Sequence, residues 1–164
     1  MPGGFPVPAE PPFNGLVQGQ PTVPPPANGQ PIVVQISGLG GGESLVVSPQ
    51  DITYQNMRGG FRLAWSELQR VTVTMAYHQQ RHGSQIWRVR LVLDAADPMR
   101  FAQLHPEMAD AQGKHGGTGP GSYGIAIGLN PAIATTIGQA LATYGGPRFG
   151  GVIDEGQVLG FGYL

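Results

Sequence analysis

The sequence predicts a mainly β (α+β) fold: an antiparallel two-sheet barrel capped by one C-terminal α-helix. Two observations predict it. Residues 61–93 alternate apolar and polar side chains over three successive stretches, the period of half-buried strands. Residues 130–147 carry one apolar stripe at helical spacing between a start and a stop signal, which describes a single amphipathic helix. Two bent sheets leave an open corner, and a helix with one apolar face can close it.

Gly (27) and Pro (16) together exceed a quarter of the 164 residues. Ten of the prolines precede Ile32, so the bias is local. Proline fixes its own backbone and extends its predecessor, and such a segment cannot offset its ordering entropy by burial. Residues 1–31 are therefore expected to be a disordered, Pro/Gly-rich arm, a spacer or a ligand for a proline-binding groove. Residues 32–149 form the domain, and residues 150–164 read as a Gly-rich tail, frayed or docked as a strand.

Taken in order, residues 32–37, 44–48 and 51–55 are short strands separated by glycine and Pro49-Gln50 turns. Gly59-Gly60 ends the next turn. Phe61, Leu63 and Trp65 alternate with polar or small residues; so do Val71, Val73, Met75 and Tyr77, and then Trp87, Val89, Leu91 and Leu93. The opposite phase carries Arg62, Thr72, Thr74, Arg88 and Arg90. Residues 99–111 suggest short helical turns broken by Pro106, residues 112–122 a glycine loop, and residues 123–129 a last strand. The helix, residues 131–144, opens on Asn130-Pro131 and stops at Gly145-Gly146-Pro147, each type favoured at its place. Burying Ile133, Ile137 and Leu141 contributes on the order of 5 kcal/mol before entropy is counted. Gly138 in mid-helix permits a close approach to the sheet.

Composition excludes several functions. The net charge is −1, so no global field holds the protein on nucleic acid. Without cysteine there is neither a disulfide framework nor thiolate chemistry. No apolar run approaches the roughly 18 residues of a membrane span, and no secretory leader is recognisable. The expected location is cytoplasmic.

Motifs that suggest catalysis fail on inspection. GLGGGE, residues 38–43, has Glu43 where a third glycine belongs and precedes a strand rather than a helix. GPGSYG, residues 119–124, leads its serine into a strand, the reverse of a nucleophile elbow. His78, His82, His105 and His115 follow no metal-ligand spacing. The acidic pairs Asp94/Asp97, Glu107/Asp110 and Asp154/Glu155 read as solvated loop carboxylates. No cofactor or metal is implied. The basic feature that stands out is Arg81, Arg88 and Arg90 on one hairpin, with Arg62 nearby in sequence. Arg88 and Arg90 share a strand face, and guanidinium groups so placed suit phosphate.

The segments LVVSPQDITYQ, FRLAWSELQRVTV, WRVRLVLD, YGIAIGL and NPAIATTIGQALATYGG, with the step Trp65-Ser66-Glu67-Leu68, resemble the bacterial pleckstrin-homology-like domains over about residues 43–149. That resemblance implies a PH-like barrel and a role in binding or assembly. Arg88-Val89-Arg90 matches the Lys/Arg-x-Arg pattern of lipid-binding members by letter, in a different hairpin from the family's phosphate site. The glycine loop and the Pro-rich arm depart from a minimal domain. The expectation is a non-catalytic module acting through an unidentified protein partner or self-association, with residues 158–164 a candidate strand for pairing with a second copy. The alternative is binding of an anionic lipid or phosphoanion at Arg62, Arg81, Arg88 and Arg90; a hydrolase with an unrecognised site is more remote.

Overall fold

The computed structural model describes residues 29–36 and 42–159. The arm up to residue 28, most of the glycine-rich 38–43 turn and residues 160–164 lie outside the described residues.

Two four-stranded sheets make the framework. The first is an antiparallel meander of β1 (Ile32–Ile36), β2 (Glu43–Val47), β3 (Asp51–Asn56) and β4 (Gly59–Ala64) in chain order. Alternation fixes its inner face: Val34, Leu45, Ile52 and Leu63 are buried. A 3-10 turn, Trp65–Glu67, carries the chain to the second sheet. Trp65 Nε1 donates to Ser48 O at 2.8 Å, and Glu67 accepts from Ala64 N at 2.8 Å, so this corner is tied to the β2–β3 turn.

The second sheet contains β5 (Leu68–Gln79), β6 (Gln85–Ala95), β7 (Ser122–Gly128) and β8 (Phe149–Gln157), in the order β7-β6-β5-β8. β5, β6 and β7 are antiparallel neighbours. Between β6 and β7 lie a short helix, α1 (Pro98–Leu104), and a 3-10 segment, Pro106–Ala111. Asp97 caps α1 by accepting from Arg100 N at 3.1 Å.

α2 (Pro131–Gly145) touches β1 and β2 of one sheet and β5, β6 and β8 of the other. Asn130 Oδ1 accepts from Ala132 N at 3.0 Å, as the capping signal foretells. Ile137 and Leu141 are 0% exposed, while Ile133 and Tyr144 are partly buried against the same core.

The fold departs from expectation in two respects. The sheets do not close into a barrel: β4 and β7 remain edge strands. And the domain does not end at residue 149: residues 150–157, expected as a tail either frayed or docked as a strand, take the docked form and continue from Phe149 as β8, paired parallel to β5, from Val71↔Phe149 to Tyr77↔Gln157. The cause is packing. A β-carbon at Gly138 would overlap the Val152 side chain, and Phe149 lies against the core. Glycine at 138 thus lets α2 approach β8. The register shifts along β8, with Gly151 and Gly156 at positive φ, conceal its period in the sequence.

Candidate functional site

The four arginines singled out from sequence do not form one patch. Arg62 belongs to the first sheet, where it pairs with Asp51 at 2.6 Å while remaining 75% exposed. Asp51 also accepts from Ser48 Oγ at 2.9 Å, so this pair braces the β2–β3 turn. Arg81 lies exposed in the β5–β6 turn. Arg88 and Arg90 do share the outer face of β6, with Arg90 directly across from Thr74 of β5. Arg90 is only 8% exposed. The structure thus keeps the Arg88–Arg90 pair and separates Arg62 from it by sheet.

Arg90 is buried by elements distant in sequence. Its Nη1 lies 3.8 Å from Glu155 Oε2, a carboxylate from β8 that reaches across the intervening β5. The glycine loop covers its other side: a β-carbon at Gly116 would lie 3.8 Å from Arg90 Cδ and 3.9 Å from Nη1. A β-carbon at Gly124 would overlap the Lys114 carbonyl, so glycine on β7 lets the loop lie flat on the sheet. The His115 imidazole is held below its ordinary pKa, first by burial and then by the charges of Arg90, Lys114 and Arg88.

A second cluster joins the Trp65 corner to α1. His105 Nε2 contacts Glu67 Oε1 at 3.1 Å and Nδ1 contacts Glu107 Oε1 at 3.0 Å. Burial pulls the imidazole pKa down, but hydrogen bonds and charge from Glu107 and Glu67 outweigh it, and the net shift is upward. Sequence reading missed this clasp because Glu67 and His105 stand 38 residues apart; it treated Glu107 as a loop carboxylate. Beside it lies a cavity of about 310 Å³ lined by Ser66, Arg100 and Phe101.

Other candidates resolve as structural. Ser122 is buried and donates to Asp94 Oδ1 at 2.7 Å. His82 is exposed in the hairpin turn. Among the described residues no cluster of three or more His, Asp or Glu is arranged to hold a metal ion. No helix among them is long and apolar enough to cross a membrane.

An open seam separates β4 of the first sheet from β7 of the second. β4 and β7 face a groove of about 600 Å³. Tyr54 and Phe61, stacked 5.4 Å apart between centroids, line it from the first sheet, and Ile125 and Ala126 from the second. Arg58, Glu107, Met108 and Asp110 complete it. The 3-10 segment 106–111 touches both β4 and β7, so it bridges the seam beside the groove. Comparison with family models, with curated proteins and with solved structures found no match.

Proposed function

We propose that this chain is a non-catalytic binding module of pleckstrin-homology-like character that acts through protein–protein contact. The observation that carries the reading is the seam groove, flanked by two sheet edges and mixing aromatic, aliphatic and charged groups. The occupant it suits is an extended segment of a protein partner. Edge backbone supplies hydrogen bonds to such a segment, and alternate side chains enter the groove. The helix closing two four-stranded sheets supports the family resemblance; β8 and the open seam are additions to that plan. A cytoplasmic location belongs to the same reading.

Self-association through residues 158–164 is less well supported. Val158 N donates to Tyr77 O at 2.9 Å, so the start of that segment pairs within its own chain.

The test is peptide selection. A random peptide library is panned on the full chain, and each selected peptide is measured against Ala126→Arg, which fills the groove, and Ala142→Arg, on exposed helix surface. The reading expects affinity to fall about tenfold or more for the first variant only. Peptides that bind both variants equally, and shift amide resonances only away from residues 54–61 and 123–128, count against it.

A further inference from the structure

The outer face of the second sheet buries polar groups that lack adequate partners. Thr74 is 7% exposed, and its Oγ1 is a buried side-chain atom without a hydrogen-bond partner among the described residues. It lies beside Arg90 in the β5–β6 register, where facing side chains approach within about 5 Å. Leaving such a group unpaired costs free energy, so an orphan beside a buried guanidinium calls for an explanation.

Arg90 is also poorly matched. A charge-assisted N–H···O bond runs near 2.8 Å, whereas Glu155 offers one oxygen at 3.8 Å. Glu155 is the extra residue of a bulge, between the Met75↔Asp154 and Ala76↔Gly156 pairs. Its side chain is 39% exposed on an edge strand. Nothing but side-chain rotation is required to withdraw it. Arg88 stands two residues from Arg90 on the same face, and the loop carrying Lys114 and His115 lies against that face at Gly116. Positive groups thus outnumber the carboxylate here, in a chain of net charge −1.

We propose that Arg88, Arg90, Lys114 and the Thr74 hydroxyl form a site for a small tetrahedral oxyanion of the phosphate-monoester class, with the Glu155 carboxylate as its intramolecular competitor. The register sets Arg88, Arg90 and Thr74 on one sheet face, and His115 on the covering loop feels the charges of Arg90, Lys114 and Arg88. In this proposal two guanidinium groups and a hydroxyl therefore come from the sheet and an ammonium from the loop. A tetrahedral anion presents acceptor oxygens in all those directions and about two negative charges. A planar carboxylate presents two oxygens and one charge. Gly116 has a part as well: a side chain there would occupy the space beside Arg90 Nη1. Ala126, which lines the peptide groove, stands across from Arg90 in the β6–β7 register, so the two sites adjoin; the phosphate site does not depend on peptide binding.

The test is calorimetric titration of the full chain with inorganic phosphate at low ionic strength, with acetate as control. Glu155→Gln removes the competitor and is expected to tighten phosphate binding about tenfold. Thr74→Val, which keeps shape and loses the hydroxyl, is expected to weaken it about tenfold, and Arg88→Gln similarly. Circular dichroism confirms that each variant is folded. Phosphatidic acid vesicles form a parallel arm: co-sedimentation sensitive to the same variants assigns a lipid headgroup, and phosphate binding without it assigns a soluble ester. Binding matched by acetate, or unmoved by both Thr74→Val and Glu155→Gln, overturns the proposal, as does the absence of any phosphate heat in Glu155→Gln.

Discussion

On the inner face of the second sheet, Val71, Val73, Leu91 and Leu93 are fully buried among apolar neighbours; on its outer face, Thr72, Thr74 and Arg90 are almost as inaccessible. The two faces come from the same strands, residue by alternate residue. What differs is the cover. The first sheet and α2 close the inner face with hydrocarbon. A glycine loop and an exposed edge strand cover the outer face with backbone, one carboxylate and one imidazole. Inner burial is therefore stabilising by itself, while outer burial leaves a hydroxyl without a partner and a guanidinium with a distant one. Burial alone does not distinguish fold from function; whether the buried groups are satisfied does.

Substitutions can break or sharpen this contrast. The largest effect is expected where both sheets meet the helix: Leu141→Ala should cost about 2–5 kcal/mol in urea unfolding. A loss well under 1 kcal/mol would show that α2 is not the closing element. Exchanging the character of the faces comes next. Val73→Thr places an unpaired hydroxyl in the inner core and should cost roughly 1–3 kcal/mol. Thr74→Val removes one from the outer face and should raise stability, by up to about 1 kcal/mol. If both variants lose stability equally, the outer hydroxyl has a partner and the contrast dissolves. Asn130→Ala removes the cap of α2 and should cost about 1 kcal/mol, read as a shift in the unfolding midpoint.

The smallest effect concerns pH. The His105 pKa is raised in the folded state by Glu107 and Glu67 acting against burial. Its stabilisation is therefore fully present below the unfolded value of about 6.5 and is lost as pH rises through the folded value. The His105 contribution should be lost between mildly acidic and mildly alkaline pH, while His115, with its pKa lowered, acts in the opposite sense, so the comparison of wild type with His105→Gln isolates the clasp. His105→Gln should lack that loss, and identical profiles would remove the clasp from the account.

Most of the fold is legible in the sequence, because its signals are local. Asn130-Pro131 and Gly145-Gly146 mark the ends of α2, and period-two alternation marks β5 and β6. β8 is not legible. Its partner Val71 precedes Phe149 by two strands and two helices, and Gly151 and Gly156 interrupt its alternation. The site is legible only in part. Alternation places Arg88 and Arg90 on one face, but nothing local says that Gly116 and Glu155 will cover Arg90. Nor does it say that Arg62 will turn to Asp51. Long-range packing settles those matters, and packing leaves no period.

Thermal unfolding of the wild type and of Thr74→Val, each with and without inorganic phosphate, tests most directly whether the outer face is poorly satisfied because it awaits an anion. Without phosphate the variant should unfold at the higher temperature. With phosphate the wild type should gain more than the variant, since a ligand stabilises in proportion to its affinity for the folded state. Equal gains in both proteins, or none in either, would contradict the account.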